Sequence, residues 1–371
     1  MGSLVTYSIW IVGLSVATLL LTNSLRDKVF CSQIEVNTAS VADVLIVGGS
    51  YAGLAAALTL ARHQIDVLIL NSDALHSKWK TPLHIVPTWE SRSPDDLRRA
   101  SREELRKTGF VRFADAHVTT IEKPGANESL FVATDSHGSK WSGRKLLLAT
   151  GVELVFPSIE GYGDNFPDHI LHCLFTRGLE FKGSRSAGLL AVGLMGTPHH
   201  AAMLVEDAQK FADTVTVYTN GDARLGEGIR KALAERGEEN FIIESRRIVR
   251  LLRDPAGVSI TIVLDGGAMA TEGFLAHKPD TRVNLEITSQ LGLETNERNE
   301  IVTKNPFSQT SVAGIFAAGD GASPFKTISN AIFQGSNAGA GIARELPRRV
   351  TNNGADRLQG QGWTWCDKFR S

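Results

Sequence analysis

Residues 43–71 read DVLIVGGSYAGLAAALTLARHQIDVLILN: an apolar strand, a glycine turn, an alanine-rich helix and a second apolar strand. This order predicts a βαβ unit. Gly48 permits the sharp turn, while Gly49 and the small Ser50 let the backbone approach a pyrophosphate. Gly53 lets the helix pack closely, and the N–H groups at the helix start favour an anion. The stretch predicts a dinucleotide site, although serine occupies the third position of the GxGxxG pattern.

The second strand of this unit ends at Asn71, where such folds usually carry an acidic residue that binds a ribose hydroxyl. Asn71 can form the same hydrogen bond without charge assistance, and Asp73 follows two residues later. We therefore expect Asn71 at the cofactor.

Two later segments repeat the pattern of a buried strand followed by small residues. They read KLLLATG at 145–151 and GIFAAGD at 314–320, and the second precedes a Gly- and Ala-rich helical sequence that continues to Ala343. A carboxylate at Asp320 suits the ribityl chain of a flavin, and the following helix would aim its N-terminus at the flavin ring. In this order, the segments predict a flavoprotein with two dinucleotide-binding folds.

Between them, AGLLAVG at 187–193 begins a second strand-turn-helix unit, inserted into the first. The turn of this unit suits phosphate poorly, because Met195 replaces the close-approach glycine and Pro198 lacks an N–H donor. After the next strand, Arg224 is a single arginine where a 2′-phosphate requires a basic cluster. These residues argue against NAD(P)H binding.

Composition excludes several classes of function. Among the 371 residues, 39 Lys and Arg balance 40 Asp and Glu, so the chain has no overall charge for nucleic acid. The cysteines, Cys31, Cys173 and Cys366, contain no CxxC pair, which excludes a disulfide framework, a zinc ribbon and an internal redox dithiol. His199 and His200 have no further ligand at metal-binding spacing, so no metal site is predicted.

Residues 3–21 carry no charge and are long enough to cross a bilayer as a helix, at about 1.5 Å per residue. They predict an N-terminal apolar helix, a single-pass signal-anchor in the endoplasmic reticulum or a vesicle membrane. A cleaved signal peptide, with secretion, is the alternative. The charges at Arg26 and Lys28 leave the topology of the anchor open.

Five segments together resemble one family: GGSYAGL at 48–54, LHIVPTWESRSPDDLRRASREEL at 83–105, LLLATGV at 146–152, ILHCLFTRGLE at 170–180 and GIFAAGDGASPFKTISNA at 314–331. They are similar to the thioredoxin reductase-like FAD oxidoreductases, above all to the fungal branch that oxidises dithiols of secondary metabolites. The resemblance implies an α/β fold with two Rossmann-like domains, bound FAD and a homodimer.

The sequence and the resemblance together divide the chain into five parts. These are an anchor and linker at 1–40, the first part of the FAD-binding domain at 41–155, an inserted NAD(P)-binding-like domain at 156–273, the second part of the FAD-binding domain at 274–346, and a tail at 347–371.

The resemblance also implies which residues bind FAD. Gly48, Gly49, Ser50, Ala52 and Gly53 would contact the diphosphate, Thr150 and Gly151 its other flank, Gly319 and Asp320 the ribityl chain, and Thr327, Ile328 and Ser329 would face the flavin from the helix N-terminus. His84 falls in the segment that lines the flavin side.

The chain departs from the family pattern at the redox dithiol. The resemblance aligns Cys173 with the first cysteine of the relatives' CxxC and Thr176 with the second. A threonine hydroxyl forms no disulfide and supplies no thiolate, so the relay between a disulfide and the flavin cannot operate. Cys173 could act alone, and Thr176 could bond the flavin or fill the vacated volume.

We therefore predict an FAD-dependent oxidase or dehydrogenase that takes a hydride directly from a small secondary-metabolite intermediate and uses O₂ as acceptor. Either His84 or His172 would take the accompanying proton. One alternative is an NAD(P)H-dependent flavin reductase or monooxygenase, and another is a non-catalytic flavoprotein scaffold. The identity of the substrate stays open, because pocket loops have no fixed signature.

Overall fold

The computed structural model describes residues 41–72, 81–125, 130–254 and 256–347. Predictions that concern the N-terminal 40 residues, Asp73 and the tail after Pro347 lie outside these ranges. Within them the chain forms an α/β fold with two parallel sheets, and the second sheet is built from the inserted segment.

The strands of the described residues are β1 Ala42–Val47, β2 Val67–Asn71, β3 Val111–Asp115, β4 Val118–Glu122, β5 Phe131–Asp135, β6 Lys140–Leu148, β7 Glu153–Val155, β8 Ile170–Leu171, β9 Ser184–Leu190, β10 Ala212–Tyr218, β11 Phe241–Glu244, β12 Ile248–Arg253, β13 Ile260–Leu264, β14 Met269–Glu272, β15 Leu275–Ala276, β16 Asp280–Arg282 and β17 Ile315–Ala317. The α-helices are α1 Tyr51–Arg62, α2 Pro94–Lys107, α3 Tyr162–Asn165, α4 Leu174–Arg177, α5 Pro198–Ala208, α6 Ala223–Glu235, α7 Leu285–Gln290 and α8 Ile328–Glu345.

The first sheet has the order β3-β2-β1-β6-β5-β4, and β17 also pairs with β6. β1 lies between β2 and β6 in parallel register, and all its residues are buried. A strand covered on both faces needs a continuous apolar run, which is what the sequence supplies there. β4, β5 and the start of β6 form an antiparallel meander at one edge.

Close contact between α1 and α8 depends on small residues. A Cβ atom at Gly335 would lie 2.1 Å from the carbonyl oxygen of Ala52, and one at Gly339 would lie 2.8 Å from that of Ala56. Only glycine allows so short a distance between helix backbones. The contact holds the C-terminal helix against the helix that follows the first glycine turn.

The inserted segment forms a parallel sheet in the order β11-β10-β9-β15-β8, together with an antiparallel sheet of β12, β13 and β14. The chain passes between the two parallel sheets along the antiparallel pair β7 and β16. Because β15 pairs with β8 and β9, the insert includes residues 275–276. The boundary predicted at 273 is therefore placed before a strand that belongs to the insert.

None of the helices within the described ranges is long and apolar enough to cross a membrane. The predicted anchor at residues 3–21 lies outside those ranges.

Candidate functional site

A cavity of about 670 Å³ opens at the carboxyl ends of β1, β2 and β6. This edge of a parallel sheet is where such folds bind ligands. Seven of the residues predicted from sequence to bind the cofactor line the cavity: Gly48, Gly49, Ser50, Asn71, Thr150, Gly151 and Asp320. Residues more than 270 positions apart in the chain thus meet around one space.

The glycine turn between β1 and α1 is tightly packed by backbone atoms. Gly48 has a φ of +111°, and a Cβ atom there would lie 2.1 Å from the carbonyl oxygen of Ala149. A Cβ at Gly53 would lie 2.0 Å from the carbonyl oxygen of Gly48. Ser50 precedes α1 in an extended conformation without a side-chain capping hydrogen bond, so its hydroxyl leaves the first N–H groups of α1 available for an anion.

Asn71 holds this turn from the end of β2. Its side chain is 2% exposed, and its Oδ1 accepts a hydrogen bond of 3.1 Å from the N–H of Gly49. Asn71 therefore touches the turn as well as the cavity, which adds a structural contact to the ribose contact predicted from sequence.

Gly319 and Asp320 close the cavity from the end of β17. Gly319 has a φ of +85°, and its N–H donates to Oε1 of Gln334 at 2.8 Å. Burial raises the pKa of Asp320, and the positive charges of Lys326 and Lys278 oppose that shift. A carboxylate in such a setting is suited to accept hydrogen bonds from sugar-like hydroxyls.

The loop before α8 is held by a buried ion pair. Lys326 Nζ donates to Oε1 of Glu300 at 2.8 Å and to the carbonyl oxygens of Asp320 and Ser323 at 3.2 and 2.7 Å. The pair fixes the segment that leads from Asp320 to α8.

Thr327 caps α8 by accepting a hydrogen bond of 3.2 Å from the N–H of Asn330. The N–H groups of Ile328 and Ser329 lie in the first turn, where a helix provides no backbone acceptor. The Ser329 hydroxyl donates to the carbonyl oxygen of Ile85 at 2.9 Å. These three predicted residues therefore lie beside the segment that contains His84, although they do not line the cavity.

His84 is surrounded by carboxylates. Its Nδ1 lies 2.6 Å from Oε1 of Glu90, and its Nε2 lies 2.8 Å from Oε1 of Glu180, without hydrogen-bond geometry in the second case. The hydrogen bond from His84 lowers the pKa of Glu90. Because Glu180 belongs to the insert, His84 connects the first region to the segment that follows Cys173.

Cys173 precedes α4 and is half-buried with an unpaired thiol. The Thr176 hydroxyl donates to the carbonyl oxygen of Cys173 at 2.9 Å. Thr176 therefore uses its only donor within its own helical turn. His172, the neighbouring candidate, is exposed. Partial desolvation and then the positive charges of Arg177 and Lys278 lower its pKa.

The second glycine turn, residues 193–198, differs from the first. The N–H of Leu194 donates to Oδ1 of Asp280 at 3.1 Å, and the side chain of Met195 is buried. Thr197 caps α5 by accepting a hydrogen bond of 3.2 Å from the N–H of His200. A carboxylate thus contacts the turn where a dinucleotide would place its phosphates.

Sequence reasoning missed part of the cavity wall. The missed lining residues are Ala116, His117, Val118, Val152, Glu153, Arg282, Val283, Asn284, Leu285, Glu286 and Ile287. Asn284 caps α7 through its Oδ1, which accepts from the N–H of Ile287 at 3.1 Å. That cap is the one local signal that would have pointed to a helix start here.

The residues around the cavity fit FAD. Glycines crowd the turn where a Cβ would collide, a carboxylate lies at the opposite wall, and the space has the volume typical of a small-molecule site. Within the ranges that the structure describes, no group of three His, Cys, Asp or Glu side chains is placed to hold a metal ion.

Known proteins that are similar to this chain are oxidoreductases. A family model described as pyridine nucleotide-disulphide oxidoreductase matches residues 42–335. The chain is 37% identical to the thioredoxin reductase aclD of Aspergillus oryzae, with 83% of this chain and 97% of that one covered. It is 36% identical to the thioredoxin reductase sirT of Leptosphaeria maculans, with 82% and 94% covered. Among solved structures, an oxidoreductase from Agrobacterium tumefaciens matches at a TM-score of 0.72 and 27% identity, with 82% and 98% covered.

Proposed function

We propose a specific reaction for this chain, which belongs to the pyridine nucleotide-disulphide oxidoreductase family and is an FAD-dependent oxidoreductase. The chain would remove a hydride and a proton from a small secondary-metabolite intermediate. Bound FAD would supply the hydride acceptor and would then pass two electrons to O₂, which with two protons gives hydrogen peroxide.

The observation that carries this proposal is the missing dithiol. Reduction of a protein disulfide requires two sulfurs that alternate between dithiol and disulfide. Here Thr176 stands beside Cys173, and its hydroxyl is bonded to the Cys173 carbonyl. A substrate would therefore have to give its electrons to the flavin directly. The names of the relatives describe thioredoxin reductases. We do not propose that activity for this chain, because Thr176 supplies no second sulfur.

Residues outside the cavity wall would support such a reaction in two ways. Free N–H groups at the start of α8 would favour negative charge on the cofactor. A histidine would take the substrate proton. Either His84 or His172 would fill this role: the His172 ring is exposed, whereas both ring nitrogens of His84 face carboxylates.

One experiment tests the proposal. The full-length protein is titrated anaerobically with NADPH, then with an extract of the producing organism, while the 450 nm flavin band is followed. We expect the extract to bleach the band, NADPH to leave it unchanged, and air to restore it with release of hydrogen peroxide. Rapid bleaching by NADPH would contradict the oxidase and support the reductase or monooxygenase alternative.

The scaffold alternative has its own test. If FAD is only a structural ligand, a folded Asp320→Ala protein should support formation of the pathway product as well as the wild type does. We expect product formation to fall with the FAD content of this variant.

We also propose the homodimer and the membrane attachment through residues 3–21. Light scattering of the purified protein tests the first. Cell fractionation with and without residues 1–40 tests the second, and a soluble full-length protein would contradict it.

A further inference from the structure

We propose that Asp280 is a specificity-determining residue that excludes the pyrophosphate of a dinucleotide from the second glycine turn. This inference deepens the proposed function, because it assigns a cause to the expected failure of NADPH to reduce the flavin. Asp280 lies outside the turn at 193–198, and its charge would act together with the unfavourable sequence of that turn.

The carboxylate of Asp280 lies against the start of the turn. Its Oδ1 accepts the hydrogen bond from the Leu194 N–H at 3.1 Å. Gly193 has a φ of +56°, and a Cβ atom there would lie 2.9 Å from Oδ2 of Asp280. Asp280 begins β16, on the strand pair along which the chain leaves the insert. The contact therefore joins the turn to a strand 86 residues away in the chain.

In this fold, the free backbone N–H groups of the turn bind the pyrophosphate. Here one of those N–H groups, that of Leu194, already donates to Asp280. Asp280 is exposed, so its carboxylate lies on the surface that such a ligand would approach. A negative ligand there would lose one N–H donor to Asp280 and would meet a like charge at short distance.

No ion pair offsets this charge within the described part of the chain. Among the residues that the structure describes, no Lys, Arg or His forms an ion pair with Asp280. Two titratable groups that interact with it are Tyr162 and His277. Tyr162 is neutral, and burial lowers the pKa of His277 to about 4, so that the ring is uncharged at pH 7.

The test is the Asp280→Asn variant of the full-length, FAD-bound protein. This variant keeps an oxygen acceptor for the Leu194 N–H and removes the charge. The control is Asp213→Asn, which removes the same charge from an exposed position on β10, the strand that pairs with β9 ahead of the turn. Binding of ADP-ribose, which carries the pyrophosphate without the nicotinamide, is measured by calorimetry at low and high salt.

We expect Asp280→Asn to bind ADP-ribose at least tenfold more tightly than the wild type at low salt, with a smaller gain at high salt. The control should bind as the wild type does. A gain of less than twofold at low salt, or an equal gain in the control, would overturn the inference. Should Asp280→Asn lose its fold by circular dichroism, Asp280→Ser is measured in its place and judged by the same threshold.

The same samples separate this inference from the proposed function. If NADPH bleaches the wild-type flavin, both fail, because the second turn then accepts a dinucleotide as it stands. If NADPH leaves the wild type oxidised and Asp280→Asn gains no affinity, only the role of Asp280 is refuted. In that case Met195 and Pro198 are sufficient to block the site.

Discussion

The two glycine turns of this molecule both connect a parallel strand to a helix, but the side chain that supports each turn differs in charge. At the first turn, the neutral amide oxygen of Asn71 accepts from the N–H of Gly49. At the second, the carboxylate of Asp280 accepts from the N–H of Leu194. Both acceptors satisfy one backbone donor, but only the second adds a negative charge where phosphates bind. The second turn thus differs from the first in the charge of its supporting side chain as well as in its sequence.

The largest effect is expected from a methyl group added to the first turn. Gly53→Ala places a Cβ 2.0 Å from the carbonyl oxygen of Gly48, and neither backbone can move freely. We expect a loss of at least about 3 kcal/mol in the free energy of unfolding and loss of bound FAD. Urea unfolding and the ratio of absorbance at 450 and 280 nm measure the two effects.

The matched change in the second turn is Gly196→Ala. The nearest atom to a Cβ there is the carbonyl oxygen of Gly193 at 3.1 Å, and the φ of Gly196 is negative. We expect the FAD content to stay at the wild-type level and stability to change by less than about 1 kcal/mol. Equal loss of FAD in both variants would remove the distinction between the turns.

Low pH should destabilise the folded protein through a buried histidine near the second turn, His277. His277 is 2% exposed, and its Nδ1 lies 2.7 Å from the hydroxyl of Tyr162. Burial lowers its pKa from 6.5 to about 4 in the folded state. As the pH falls, the unfolded chain therefore binds a proton at His277 before the folded protein does. The folded state keeps its full stability with respect to this group above pH 6.5 and loses stability as the pH falls toward 4.

Between pH 7 and 5, this one residue should remove about 2 kcal/mol from the free energy of unfolding. His277→Leu should lose less stability than the wild type over that interval, while His199→Leu, at an exposed position, should follow the wild-type slope. Urea titrations at the two pH values measure the difference. Parallel slopes in all three proteins would refute the assignment to His277.

A smaller effect should follow from giving the first turn the charge of the second. Asn71→Asp keeps an acceptor for the Gly49 N–H and adds a carboxylate beside the cavity. Because such folds usually carry an acidic residue here that binds a ribose hydroxyl, we expect the affinity for FAD to stay at the wild-type level or to rise. Fluorescence titration of the apoprotein with FAD measures the affinity.

The neutral control is Asn71→Ser, which keeps a hydroxyl at this position without charge. It should bind FAD less tightly than Asn71→Asp, because the shorter hydroxyl offers the ribose no charged acceptor. If the aspartate variant binds FAD at least about tenfold more weakly than the wild type, negative charge at the turn outweighs the contact with the ribose.

The sequence predicts the first turn well because its information is local. β1, α1 and β2 follow one another within 30 residues, and their apolar runs and glycines are read directly. The contact between Asp280 and Leu194 could not be predicted, because two residues 86 positions apart meet only through the fold. The end of the insert was placed too early for a related reason. β15 has two residues, too few to show any periodicity.

The surroundings of the candidate catalytic residues were also hard to predict from the sequence. A short motif identifies Cys173 and Thr176, but one of the two carboxylates beside His84, Glu180, lies 96 positions away on the insert. The side chains that decide what His84 does are therefore set by packing between segments, which a single sequence does not display. The cavity wall around Asn284 was missed because it lies in loops and short helix ends.

The smallest effect is expected at Thr176, in the segment that joins the regions of the two turns. Its hydroxyl donates to the Cys173 carbonyl at 2.9 Å within the same helical turn. Thr176→Val removes the hydroxyl and keeps the shape of the side chain, so we expect a loss of about 1 kcal/mol or less and an unchanged flavin absorption band.

Thr176→Ala removes the same hydroxyl and a methyl group, and serves as the comparison for volume. If the hydroxyl contacted the flavin, both variants would shift the band and slow its reduction to the same degree. If Thr176 fills space and bonds to Cys173, only the alanine variant should lose further stability. The position where relatives keep a redox sulfur would then have become part of the packing that surrounds the site.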